Sequence, residues 1–141
     1  MTQQEYTLNQ FQEQCATTAI YGEAIEKLLE PIQILIDSVH FDDDVDAADK
    51  ALANIRKLLN VSYAVLGLAG EAGEVANKMK KVIRDDTSFE PLNKEVQGTN
   101  WYVNACLTEL GIPANDAAVQ LAETLQSRKE REVLQGNGDN R

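Results

Sequence analysis

A long helical pattern runs from Asp46 to about Arg84, and it constrains the fold more than any other feature of the sequence. Gly67, Gly70 and Gly73 near its middle allow either a close approach of another helix or a bend. Alternating strand-like runs are short elsewhere in the chain, and no Asn-Gly or Asp-Gly hairpin lies between apolar strands. The sequence therefore predicts an all-α fold built around this long helix. Apolar residues recur along it at helical spacing and are expected to share one face: Leu52, Ile55, Leu59, Leu66 and Ala69.

Shorter helices are predicted on both sides of the long one. The first begins near Thr7 or Asn9 and weakens or ends at Tyr21-Gly22. In the last helix, the residues predicted to point inward are Ala117, Ala118, Leu121 and Leu125. Pro31 either kinks the second helix or opens a third, and Gly111 ends the helix that follows Pro91. The segments after the first are Glu23–Glu30, Pro31–Val39, Pro91–Leu110 and Pro113–Glu132.

These segments predict a helical bundle of four to six helices in one domain, residues 1–141. An insertion-like helical segment covers about 23–58, and a flexible tail covers about 133–141. Apolar stripes as wide as these exceed what one chain of this size can cover. The core is therefore expected to be completed by homo-oligomerisation.

Composition excludes several classes of function. Acidic residues number 23 against 13 Lys and Arg, a net charge of −10, so double-stranded nucleic acid is not an expected partner. No signal peptide and no apolar run of membrane-spanning length is found, so we expect a cytoplasmic protein with no membrane partner. Cys15 and Cys106 are predicted to be buried thiols, since their spacing fits neither a disulfide framework nor a zinc site.

His40 is the only histidine, which excludes zinc sites built from several histidines and the Glu-x-x-His di-iron bundles. The densest acidic run, Asp37 to Asp49, lacks the glycine of an EF-hand. We therefore interpret the run, including the loop from His40 to Asp44, as a solvated loop and helix start rather than a calcium site.

The informative segment is the charged part of the long helix. At 100° per residue, five ionisable side chains fall within an arc of about 80°. Two carboxylates followed by two lysines suit a hard divalent cation with a polyphosphate beside it. The alternative is a solvated face on which Glu74 and Lys78 form an i,i+4 pair worth about 0.3 kcal/mol. The five residues are Glu71, Glu74, Lys78, Lys81 and Asp85.

A second acidic helix follows within about twenty residues and contains Glu95 ahead of Trp101-Tyr102. If it folds back antiparallel, Glu95 can lie opposite Glu71 and Glu74. Three carboxylates from two helices would then form an oxygen-only metal site.

Glu71-x-x-Glu74, followed after a gap by Glu95 and Trp101-Tyr102-Val103, resembles the MazG-like, all-α nucleoside triphosphate pyrophosphatases. The likeness is to the short, single-domain bacterial and phage members. It extends to Leu66–Ala76 and its lysine run, to Leu8-Asn9-x-Phe11-Gln12, to Thr18–Tyr21 and to Gly136–Arg141.

The resemblance implies hydrolysis of a nucleoside triphosphate between its α and β phosphates, giving a monophosphate and pyrophosphate. Glu71, Glu74 and Glu95 would be the catalytic carboxylates and the ligands of Mg²⁺, or of Mn²⁺ in its place. The family assembles as dimers or dimers of dimers, so a homodimer or homotetramer is implied. The substrate-binding residues expected beside the carboxylates are Lys78, Lys81 and Tyr102, whereas Trp101 is expected to pack in the core. Arg128 is expected either to reach phosphates across a dimer or to interact with the end of its own helix.

Gly98 departs from the family pattern, because an aspartate usually stands there, one helical turn after Glu95. Two other hypotheses therefore remain beside the enzyme. The chain could be a nucleotide-binding or metal-binding homologue with weak or lost turnover, or a helical interaction protein without a ligand.

Overall fold

The computed structural model describes residues 7–38 and 45–135. These residues form five α-helices and no β-strand, which confirms the all-α prediction and the predicted number of helices for this part of the chain. The predicted loop at His40–Asp44, the N-terminal residues 1–6 and the tail residues 136–141 lie outside it. The helices are α1 (Leu8–Thr17), α2 (Tyr21–Ser38), α3 (Val45–Asp85), α4 (Leu92–Leu110) and α5 (Ala114–Glu130).

The first helix begins where the sequence predicts. The Thr7 hydroxyl accepts from the Gln10 backbone N–H, and the Gln10 side chain accepts from the Thr7 N–H, a complete capping box. The prediction that α1 continues to Tyr21-Gly22 is wrong, since α1 ends at Thr17 and Tyr21 begins α2. Tyr21 is buried and its ring stacks on Tyr63, so tertiary contacts anchor the start of α2.

The second helix continues through Pro31 to Ser38 without a break. With Leu52 of α3 it forms the buried core cluster, in which Tyr21, Ile25 and Leu29 contact one another, and Trp101 of α4 packs against its edge as predicted. The segment 23–58 therefore supplies three of the four residues of this cluster.

The long helix has 41 residues and spans about 61 Å, twice the diameter of a small domain. Its first part packs on α2 and its later part on α4, which folds back antiparallel after the turn that follows Asp85. The predicted apolar face is covered only in part. Leu52 is buried, whereas Ile55 is 44% exposed and Leu66 is 72% exposed within this chain.

The last helix is attached mainly through its first turn. Gln12 of α1 donates to the Ile112 carbonyl at 3.0 Å and accepts from the Ala114 N–H at 2.9 Å, and Asn9 accepts from the Asn115 N–H at 2.8 Å. Pro113 stands at the start of α5 and has no side-chain acceptor for the first N–H groups of the helix, so the side chains of Asn9 and Gln12 accept from them instead. The prediction that Leu121 and Leu125 turn inward is wrong, because both are about half exposed within this chain.

The two thiols, Cys15 and Cys106, are free, and burial raises the pKa of each. Cys15 is buried as predicted, whereas Cys106 is only half-buried. No helix in residues 7–38 or 45–135 combines the length and apolar character needed to cross a bilayer.

Candidate functional site

The site is built on the antiparallel pair α3 and α4, which approach most closely at Gly67. A Cβ at Gly67 would overlap the Tyr102 ring and lie 2.5 Å from its Cδ1. Only glycine leaves room for the aromatic ring at this crossing. The contact fixes the register of the two helices, because Tyr102 must lie opposite Gly67.

One turn further along, the Glu71 side chain lies against Gly98. A Cβ at position 98 would be 2.7 Å from the Glu71 Cδ and 3.1 Å from its Oε1. The step of four residues from Gly67 to Glu71 on α3 matches the step from Tyr102 to Gly98 on α4, as an antiparallel pair requires. Glu71 therefore occupies the space that a side chain at position 98 would need.

The next contact along the pair is an ion pair between the predicted residues Lys78 and Glu95. The Lys78 Nζ lies 3.4 Å from the Glu95 Oε1, and the glutamate side chain is only 16% exposed. Glu95 is thus brought to the α3 side of the helix pair, as the antiparallel arrangement predicted. Lys78 therefore supplies the counter-charge of this carboxylate.

The remaining predicted residues are less enclosed. Glu74 and Lys81 are exposed on α3, one turn beyond Glu71 and Lys78 respectively. Arg128 is half-buried near the end of α5, a helix that packs on α1, and it does not line the cleft described next. The structure therefore brings Glu71, Lys78, Glu95 and Tyr102 to the α3–α4 pair and leaves Arg128 outside it.

A cleft of about 370 Å³ opens beside Glu71, between the α1–α2 connection and the α3–α4 pair. Its walls are mainly aromatic: the Tyr21 and Tyr63 rings stack with centroids 4.8 Å apart, and Trp101 meets Tyr102 edge to face at 4.8 Å. The Trp101 Nε1–H donates to the Thr18 hydroxyl at 2.8 Å. The lining residues are Thr18, Ile20, Tyr21, Tyr63, Glu71, Gly98, Trp101 and Tyr102.

Tyr63 lines the cleft but was not among the residues predicted from the sequence. It lies eight residues before Glu71 and within about 80° of it around the helix axis. The arc of α3 that contains Glu71 and Lys78 therefore also contains Tyr63. Tyr21 offered no comparable signal, because it comes from another helix.

Burial, the neighbouring Tyr63 and the charge of Glu71 all raise the pKa of Tyr102, with burial the largest cause. Burial and a hydrogen bond to Glu109 likewise raise the pKa of Tyr21, whose hydroxyl donates to the Glu109 Oε1 at 2.6 Å. Both phenols are therefore neutral hydrogen-bond donors around pH 7. One turn before Tyr63, the Asn60 Oδ1 is buried without a hydrogen-bond partner.

A second hollow, of about 390 Å³, lies between α1, the end of α4 and the start of α5. Its carboxamides are already engaged, because Asn9 and Gln12 hold the first turn of α5. The cleft beside Glu71 is the better candidate, since a carboxylate lines it and the Lys78–Glu95 ion pair lies further along the same helix pair.

Across residues 7–38 and 45–135, no three His, Cys, Asp or Glu side chains gather closely enough to hold a metal ion. The predicted ligands nevertheless fit a hard divalent cation in donor type, since all three are carboxylates, and Glu71 and Glu74 are one turn apart on α3 while Glu95 on α4 contacts Lys78, one turn after Glu74. To converge on a cation, the Glu95 carboxylate must leave Lys78.

No protein-family model matches the chain, and no solved structure matches it. A stretch of 87 residues is 40% identical to the Gene 37 protein of Mycobacterium phage L5. The stretch covers 57% of this chain and 76% of the phage protein. The chain belongs to the family of this Gene 37 protein. That relationship agrees with the predicted phage or bacterial type of the chain.

Proposed function

We propose that the chain is a Mg²⁺-dependent nucleoside triphosphate pyrophosphohydrolase, which converts a ribo- or deoxyribonucleoside triphosphate and water to the monophosphate and pyrophosphate. The observation that carries the proposal is the position of Glu71, at the edge of an aromatic cleft and on the same helix pair as the Lys78–Glu95 ion pair. A cleft with four aromatic side chains in its walls, on the same helix pair as carboxylates and a lysine, suits a ligand with a ring at one end and phosphates at the other.

Glu71, Glu74 and Glu95 would hold Mg²⁺, or Mn²⁺ in its place, which supplies neutralisation of phosphate charge and an activated water. Lys78 and Lys81 lie one turn apart on α3 and would neutralise the phosphates. With Glu95 engaged as a ligand, the Lys78 ammonium, which it now contacts, would be free to meet a phosphate. Tyr102 would contact the sugar or base from the cleft wall.

The proposed enzyme acts in the cytoplasm as a homodimer or homotetramer. In such an assembly Arg128 would reach phosphates only across a contact between copies, because within one chain it lies away from the cleft.

A second candidate, a metal-binding or nucleotide-binding homologue with weak turnover, is favoured by one observation. Position 98 has no side chain, and the carboxylate beside it comes from Glu71 on the other helix. The site therefore has one oxygen ligand fewer than a site with the aspartate of the family pattern at this position would have.

The test is incubation of the purified protein with a panel of nucleoside triphosphates and Mg²⁺, with pyrophosphate and phosphate resolved. We expect pyrophosphate from at least one nucleotide. Glu71→Gln, Glu74→Gln and Glu95→Gln should each lower the rate and metal affinity at least tenfold, whereas the matched control Glu123→Gln on exposed α5 should not. Nucleotide binding without pyrophosphate would favour the second candidate, and neither binding nor product would refute both.

A further inference from the structure

Two hydrogen bonds tie the start of α2 and the connection before it to α4, and each involves an aromatic side chain of the cleft. The Trp101 Nε1–H donates to the Thr18 hydroxyl at 2.8 Å. The Tyr21 hydroxyl donates to the Glu109 Oε1 at 2.6 Å. Because Trp101 and Glu109 are eight residues apart, the two points on α4 are separated by about 12 Å. The aromatic walls are therefore held to α4 at two separate places.

Tyr21 is the buried member of the aromatic cleft. It is 4% exposed and its ring stacks on that of Tyr63, which is 46% exposed. A ring bound in the cleft would contact the more exposed Tyr63, and Tyr63 in turn rests on Tyr21. Since α2 holds the backbone of Tyr21 and Glu109 holds its hydroxyl, the ring is fixed at both ends. The orientation of the Tyr63 ring thus depends on the bond to Glu109.

Glu109 itself stands outside the cleft. It is half-buried in the last turn of α4 and is not among the lining residues. Within residues 7–38 and 45–135, no Lys or Arg forms an ion pair with it. Its bond to the Tyr21 hydroxyl has the short length of a hydrogen bond from a hydroxyl to a carboxylate, which is about twice as strong as a neutral one. Glu109 can therefore act on a bound ring only through Tyr21.

We propose that Glu109 is a positioning residue for the ring-binding part of the cleft. It holds Tyr21 in place, and Tyr21 sets the surface of Tyr63 on which the base of a nucleotide stacks. The inference rests on the proposed function for the identity of the ligand, and it adds a residue that acts on the ring alone. Without Glu109 the two tyrosines keep rotational freedom that binding must remove, so affinity for the ring falls.

The first experiment measures ring binding without phosphates or turnover. Trp101 is the single tryptophan of the chain and lines the cleft, so its fluorescence reports a ring bound there. The probes are adenosine, guanosine, cytidine and uridine, each titrated without Mg²⁺. We expect at least one of them to change the emission, and we expect Glu109→Ala to weaken its binding at least about fivefold.

Two matched variants should bind the same nucleoside as the unaltered chain does, within about twofold. Glu109→Gln retains an amide oxygen that accepts from the Tyr21 hydroxyl. Glu123→Ala removes a carboxylate that is exposed on α5. Tyr21→Phe removes the bond from its other end, so the double variant with Glu109→Ala should bind no more weakly than either single variant. Circular dichroism checks that each variant is helical, and Tyr21→Phe alone carries the test if Glu109→Ala does not fold.

A second measurement separates positioning from a general loss of structure. Inorganic triphosphate has the phosphates of the substrate without its ring. Its inhibition constant in the Mg²⁺-dependent reaction should therefore be the same for Glu109→Ala and the unaltered chain. The KM for a nucleoside triphosphate should rise by the same factor as the nucleoside dissociation constant, while kcat should change little.

Three results would overturn the proposal: no fluorescence change with any of the four nucleosides, equal nucleoside affinity of Glu109→Ala and the unaltered chain, or an equal loss of affinity for nucleosides and inorganic triphosphate. Absence of pyrophosphate release from every nucleotide would instead refute the proposed hydrolysis. The two failures are distinguishable because the nucleoside titration requires no turnover.

Discussion

The Glu71 carboxylate on α3 lies against the backbone of Gly98 on α4, and a Cβ there would be 2.7 Å from the Glu71 Cδ. Gly98, which departs from the MazG-like pattern that the sequence resembles, is thus the place where the carboxylate of Glu71 fits. Any side chain at position 98 must displace a carboxylate, which is the flexible end of a side chain and can move.

Two substitutions at Gly98 distinguish the effect of moving the Glu71 carboxylate from the effect of adding a metal ligand at position 98. Gly98→Ala should lower Mg²⁺ affinity, because its methyl group moves Glu71 and adds no oxygen, while helix propensity raises stability by up to about 1 kcal/mol. Gly98→Asp moves Glu71 equally but adds a carboxylate, so its Mg²⁺ affinity and turnover should exceed those of the unaltered chain. Titration calorimetry and pyrophosphate release measure both. Identical behaviour of the two variants would show that position 98 is not a ligand position.

Lys78→Met should have opposite effects on metal and substrate. Removing the ammonium frees Glu95, so Mg²⁺ affinity should rise, while KM for the triphosphate should increase several-fold because a phosphate counter-charge is lost. The partly exposed ion pair itself contributes at most about 1 kcal/mol to stability. Lys57→Met, on an exposed part of α3, is the control. A KM that does not change would remove Lys78 from the phosphate site.

Gly67→Ala should be destabilising although it removes a helical glycine. The new methyl group would overlap the Tyr102 ring, which also meets Trp101 edge to face. Overpacking of this kind costs about 1–3 kcal/mol, more than the roughly 1 kcal/mol gained in helix propensity. Urea unfolding measures the difference, with Gly73→Ala as the matched control because that position is open. Equal stability of the two variants would contradict the close approach.

Tyr21 makes the stability of the folded chain depend on pH in the alkaline range. Because burial and Glu109 raise its pKa in the folded chain above the ordinary value of 10.0, the unfolded chain loses this proton first. The contribution of Tyr21 to the free energy of unfolding is therefore complete below about pH 10, and it declines as the pH rises further. Tyr21→Phe should be less stable at pH 7 by about 1–3 kcal/mol, since Glu109 loses its donor, and should lose less stability between pH 9 and 12. Parallel pH curves for both proteins would show that Tyr21 makes no such contribution.

Gln12→Ala should loosen α5 without disturbing the cleft. The side chain bridges the Ile112 carbonyl and the Ala114 N–H, so its loss leaves two backbone groups of the α4–α5 turn unsatisfied. A cost of about 1–2 kcal/mol is expected, as for loss of a helix cap. Hydrogen exchange should increase in the first turn of α5 and not at Tyr102, whereas the exposed control Gln14→Ala should change neither. Unchanged exchange in α5 would mean that Asn9 alone holds the helix.

Much of the architecture could be predicted because it depends on neighbours in the chain. The capping box at Thr7, the end of α3 at Asp85 and the end of α4 at Gly111, whose φ is 70°, follow from local spacing and backbone preference. The shared face of Glu71 and Lys78 follows from helical periodicity alone.

The tertiary structure decided what periodicity leaves open, namely which side of a helix meets which neighbour. The aromatic cleft joins Tyr21 and Trp101, eighty residues apart, to Tyr63, and α5 is held by Gln12 across about one hundred residues. Such contacts depend on how helices pack, and the sequence pattern of each helix is compatible with several packings. Thus the sequence by itself determined the helices and the order of charges along α3, whereas the fold decided that Glu71 lies on Gly98, that Lys78 neutralises Glu95, and that α5 stands outside the core.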